Sequence, residues 1–162
     1  MECNCIKEFS FNIKFNSCSE LVYTDTSIWA DAPETYSIVI VLPGSSKEYN
    51  FTIEIGKIKI IKAEDFGLTI LPIGVYCVIV VNCNGDKIRQ DFLNLCSLEC
   101  SLSNLIATTN LDECENLSKY MKYKTQLEGI YAKFNCDWCN KDEVTNLIKQ
   151  LKKELDGEGC SC

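Results

Sequence analysis

The sequence predicts an α+β chain: an N-terminal antiparallel β-sandwich of immunoglobulin-like type, followed by a C-terminal helical hairpin within a three-helix segment. Three observations predict it. Large apolar residues recur with period two in the first part of the chain. Turn signals interrupt that part about every ten residues, as in a sandwich of short strands. Beyond residue 95 the apolar period becomes helical. The expected divisions are a sandwich over 1–95, a helical segment over 96–156, and a disordered, cysteine-containing tail over 157–162.

Phe9, Phe11, Ile13 and Phe15 alternate with Ser10, Asn12 and Lys14, which puts four large apolar groups on one face of a half-buried strand. Leu21-Val-Tyr23 follows a polar break, and Trp29 sits in a short stretch between turn-like segments. Thr35–Leu42 reads as a strand with a nearly continuous apolar centre, closed by the turn Pro43-Gly44-Ser45-Ser46. Tyr49, Phe51, Ile53 and Ile55 alternate again up to Gly56-Lys57. Ile58 and Ile60 lie on the opposite parity to Ile61, so the buried face there is ambiguous. So is the stretch from Phe66 to Leu71, before the turn Pro72-Ile-Gly74. Val75–Cys83 is the most β-branched run. Asn84-Gly85-Asp86 supplies the positive φ angles of a tight hairpin, and Lys87–Leu95 is its returning strand.

Leu98, Leu102, Leu105 and Ile106 form the first helical stripe, broken at Thr108-Thr-Asn110. Leu117, Tyr120, Met121, Leu127, Ile130, Tyr131 and Phe134 form a second, from about 111 to 134. Asn140 is a candidate N-cap with Glu143 as its capping-box partner. Val144, Leu147, Ile148, Leu151 and Leu155 follow as an amphipathic stripe. Tyr120, Tyr123 and Tyr131 cannot all face one core, so some are expected at a partner surface.

The chain has twelve cysteines, no histidine and a net charge of −7. Without histidine no Ser/His or Cys/His dyad can form. No glycine-rich phosphate loop is present. Asp25, Asp31, Glu64 and Asp65 fall in loop-like places with no acid/base pairing, and read as solvated charges. The negative charge disfavours a nucleic-acid partner. The longest apolar runs, Ile38–Leu42 and Val78–Val81, are too short to span a bilayer, so no membrane partner is expected.

Met1-Glu-Cys-Asn-Cys-Ile6 lacks the basic and apolar regions of a secretory signal, so folding in a reducing cytosol is expected. The glycosylation patterns at Asn50-Phe-Thr52 and Asn116-Leu-Ser118 then read as accidental. In that setting the leading reading of the cysteines is free, half-buried thiols, beside a disulfide framework or an all-thiolate metal site. A metal reading would take Cys136 and Cys139 as one zinc-binding pair and Cys96 and Cys100 as the other, with Cys114 spare. Cys136-Asp-Trp-Cys139 as a redox motif lacks the preceding strand and helix start that activate such a thiolate.

The junction of the two parts carries a family resemblance. A hairpin around Asn84-Gly85-Asp86, the strand end Asp91-Phe-Leu-Asn-Leu-Cys96, and Glu99-Cys100-Ser-Leu-Ser-Asn-Leu-Ile-Ala107 before further helices resemble small structural proteins of tailed phages of Bacteroidetes, the crAss-like phages being the nearest group. The resemblance covers mainly residues 75–155. It implies a non-enzymatic virion component of the neck or tail, such as a ring or connector subunit beneath the portal. The expected partners are further copies in a homo-oligomeric ring, of about twelvefold symmetry in step with a portal, and neighbouring neck and tail proteins. It implies location in the virion after assembly in the host cytoplasm and supplies no catalytic residue; no cofactor is expected, structural zinc aside. The alternative from another class is a zinc-stabilised adaptor or regulatory module using Cys96, Cys100, Cys136 and Cys139.

Overall fold

A computed structural model of the chain describes residues 6–81, 87–108, 110–136 and 142–155. Two compact units divide between Asn94 and Leu95.

The first unit holds the strands. β1 (Ile6–Glu8) pairs with the short β4 (Ile28–Trp29). β2 (Phe11–Ser17), β3 (Glu20–Asp25) and β7 (Ile58–Lys62) form an antiparallel sheet in the order β2-β3-β7. β5 (Thr35–Val41), β6 (Glu48–Glu54), β8 (Gly74–Val81) and β9 (Lys87–Asn94) form a second antiparallel sheet in the order β6-β5-β8-β9. The chain thus crosses between sheets after β3, after β6 and after β7, as the layers of an antiparallel sandwich require.

The alternation seen in the sequence sets which side chains face inward. Phe11 and Ile13 of β2, Leu21 and Tyr23 of β3, and Ile61 of β7 are buried. They share one core with Ile38 and Ile40 of β5, Ile53 of β6, and Tyr76, Val78 and Val80 of β8. The ambiguous parity of β7 resolves in favour of Ile61, leaving Ile58 and Ile60 63% and 50% exposed on the outer face. The ambiguous stretch Phe66–Leu71 follows a single 3-10 turn, Ala63–Phe66, whose last residue is its first. The backbone N–H of Lys62 donates to Asp65 Oδ2 at 2.9 Å, and Phe66 packs edge-on against Tyr49 and Phe51 of β6.

Two expectations at the front of the unit change. Phe9 lies outside β2, and its ring joins Phe11, Trp29 and Tyr36 in an edge-to-face cluster. Asp25, expected as a solvated loop charge, is the last residue of β3. It accepts from Trp29 Nε1 at 2.8 Å and from the Ser27 N–H at 3.1 Å. That carboxylate holds the segment carrying Trp29 against the end of the sheet.

At the other end of β8 the hydroxyl of Tyr76 donates to the Pro72 carbonyl at 2.5 Å, and Asn94 Nδ2 donates to the same oxygen at 3.2 Å. A tyrosine near the start of a strand, bonded to backbone a few residues upstream, is similar to the tyrosine corner of immunoglobulin-like sandwiches. Gly74 precedes it with φ +135°, and a Cβ there would meet Pro43 Cβ at 2.7 Å. The expected turn at Asn84-Gly85-Asp86 lies outside the described residues. The strands on either side pair as a hairpin would, with Val81 opposite Lys87.

The second unit is three helices: α1 (Cys96–Thr108), α2 (Cys114–Phe134) and α3 (Asp142–Leu155). Leu98, Leu102 and Leu105 of α1 and Val144, Ile148, Leu151 and Leu155 of α3 are buried, as their spacing predicts. α2 departs from expectation. Its buried residues are Tyr123 and Ile130, seven apart, while Leu117 and Met121 stand 44% and 47% exposed. Apolar spacing marks a helix face but not how far along the helix a neighbour covers it. The Asn140 cap and the 157–162 tail lie outside the described residues. No described helix is long and apolar enough to cross a membrane.

Candidate functional site

Among the described residues the two larger sheets end in four strands: β2 and β7 in one, β6 and β9 in the other. Each pairs on one side only among the described residues. An unpaired strand edge exposes N–H and C=O groups that another chain can complete.

The margins differ in chemistry. β7 is short and basic, with Lys59 between its isoleucines, Lys62 at its end and Lys57 just before it. Its Lys57 ammonium pairs with Glu54 Oε2 at 2.8 Å, across the tight connection to β6. This pairing lowers the Glu54 carboxyl and raises the Lys57 ammonium. Both groups are exposed, so the pair contributes little to stability. β6 turns Glu48, Asn50, Thr52 and Glu54 outward, and β9 turns out Lys87, Arg89, Asp91 and Leu93. Arg89 Nε sits 3.3 Å from Asp91 Oδ1 on that face. Between the two margins lie the partly exposed Val39, Val41, Cys77 and Ile79.

An open groove of about 450 Å³, lined by Ser19, Glu20, Lys62, Glu64, Leu68 and Thr69, has charged rims and no buried polar group. A second, of about 280 Å³, runs beside Thr52, Glu54, Lys57 and Ile58. Both lie along strand margins rather than inside the sandwich.

The tyrosines of α2 separate as their spacing requires. Tyr123 is buried and donates to the Glu154 carbonyl at 3.4 Å. Tyr131 donates to Glu99 Oε1, tying α2 to α1. Burial, then that carboxylate, raises its pKa. Tyr120 is half-buried.

The cysteines depart from the expected free thiols. Cys18, Cys96, Cys100 and Cys136 are disulfide-bonded, whereas Cys77 and Cys114 are free. The compartment argument asks only whether an oxidant is present. It cannot say which sulfurs the fold brings within bonding reach. Burial pushes the Cys77 thiol up, against the neighbouring Arg89 cation. Of the four residues of the zinc reading, Cys96, Cys100 and Cys136 are therefore taken up in disulfides, and Cys139 lies outside the described residues. A disulfide sulfur offers no thiolate, so that set can bind zinc only after reduction. Among the described residues no three Cys, Asp or Glu are grouped as a metal site.

No protein-family model, no curated protein and no solved structure matches this chain.

Proposed function

We propose that this chain is a non-enzymatic structural subunit that works through its strand margins, building a homo-oligomeric ring in the neck or tail of a phage virion. The observation that carries the reading is the pair of sheets ending in open strands, with Ile58 and Ile60 exposed on one of them. An open strand edge leaves backbone N–H and C=O groups that a neighbouring subunit can complete, and the exposed Ile58 and Ile60 beside one such edge add apolar surface for it to cover. Heterologous contact between identical subunits closes into a ring when the rotation permits. The likeness of residues 75–155 to neck and tail proteins of crAss-like phages supplies the setting. Disulfides at Cys18, Cys96, Cys100 and Cys136 suit a particle that works outside the reducing cell interior.

The experiment is mass measurement in solution by light scattering across a concentration series, followed by imaging of the largest species. A discrete closed ring is expected. A strict monomer at every concentration overturns the reading. The zinc-adaptor alternative predicts about one zinc per chain in reduced protein, lost in Cys136→Ser.

A further inference from the structure

We propose that the ring contact, on the reading just given, joins the β6 margin of one copy to the β9 margin of the next, in antiparallel register with Glu54 opposite Lys87. β6 and β9 bound the same sheet on opposite sides. With every neighbour in that sheet antiparallel, they run in opposite directions. A second copy set alongside in the same orientation therefore presents β9 antiparallel to β6, which is the geometry a sheet extends most readily. The contact is head-to-tail, so each copy gives one margin and receives the other, as a ring demands.

Charge selects this pair. The outward row of β6 carries Glu48 and Glu54 and no base, while that of β9 carries Lys87 and Arg89 with one acid, Asp91. With Glu54 opposite Lys87, Thr52 faces Arg89 and Asn50 faces Asp91, so no like charges are opposed. In the inward row Ile53 meets Ile88 and Tyr49 meets Phe92, apolar pairs on either side of a single mixed pair, Phe51 with Gln90. Both rows matter because pairs directly opposite on one face are the unit of sheet stability. Sliding the strands two residues one way sets Glu48 against Asp91. Sliding them the other way sets two inward apolar residues against amides, Ile53 against Gln90 and Tyr49 against Asn94, where the proposed register has one. β7 is less suited to receive β9, because its lysines would meet Lys87 and Arg89.

The test uses the full chain with exchanged charges at these two exposed positions. Glu54→Lys and Lys87→Glu should each weaken self-association about five- to tenfold in sedimentation velocity, with far-UV circular dichroism unchanged. An equal mixture of the two variants should recover wild-type association within about twofold, because every contact in an alternating ring then pairs opposite charges. An assembling wild type with indifferent single variants, or a mixture that recovers nothing, overturns this contact and leaves the ring reading standing. Assembly that stops at a symmetric dimer, or a wild type that stays monomeric, overturns both.

Discussion

The hydroxyls of Tyr23 and Tyr36 meet at 2.9 Å, joining β3 of the three-stranded sheet to β5 of the four-stranded one. Tyr23 is fully buried, and its ring stacks on Phe11, so the bond is made inside an aromatic cluster rather than in water. Removing either hydroxyl breaks this bond between the sheets. Tyr23→Phe should cost about 1–2 kcal/mol in urea unfolding. In the double variant with Tyr36→Phe the loss should fall short of the sum by roughly 1 kcal/mol, the signature of a shared bond.

Alkali should unfold the protein through its tyrosines. Burial raises the pKa of Tyr23, Tyr36 and Tyr131 and pushes Tyr76 up to about 12. The folded state then holds these protons more tightly than the unfolded chain, whose tyrosines ionise near 10. Their contribution is complete below pH 10 and is lost as pH rises from there through the folded values. Phenolate absorbance near 295 nm should keep rising above pH 10 as these four tyrosines ionise. That late rise should coincide with the loss of circular dichroism.

Gly74→Ala should be among the most damaging single changes in the sandwich. Its φ of +135° is a conformation that side-chain-bearing residues rarely adopt, and the added Cβ would lie 2.7 Å from Pro43 Cβ. The atoms it would meet, Pro43 Cβ and Cγ, belong to a rigid ring, so the start of β8 would have to shift, two residues before Tyr76. A loss of about 2–4 kcal/mol is expected in chemical denaturation.

Thiol chemistry should divide the cysteines. In unreduced protein Cys114, exposed on α2, should be alkylated first. Cys77, half-buried with its thiol pushed up, should react about tenfold more slowly near neutral pH. Cys18, Cys96, Cys100 and Cys136 should become accessible only after reduction, as peptide mapping by mass spectrometry can show.

Period alone revealed most of the strands and all three helices, because burial on one face leaves a repeat in the residues themselves. Phe11 and Ile13, Tyr49 to Ile53, and Val144 to Leu155 are of this kind. What period could not reveal was context. The exposure of Leu117 and Met121 depends on where a neighbouring helix ends. The engagement of Asp25 depends on Trp29 arriving beside it. The corner at Tyr76 had a signal that went unread: a proline four residues before a tyrosine at the mouth of a β-branched run. The candidate contact was legible only in its chemistry, as acids on one strand and bases on another. That these strands bound the same sheet on opposite sides is a fact of topology, which composition and spacing do not carry. Disulfides at Cys96, Cys100 and Cys136 were equally beyond reach, since spacing does not disclose sulfur-to-sulfur distance.

The doubly accepting oxygen of Pro72 has a consequence for the outer rim of the sheet. Asn94 closes β9, and its amide is moored to the same atom as the Tyr76 hydroxyl. A slip of β9 by one residue would break that mooring and also swap which of its side chains look outward. Lys87, Arg89 and Asp91 are therefore kept in phase from the far end of their own strand, by an anchor that no docking partner has to touch.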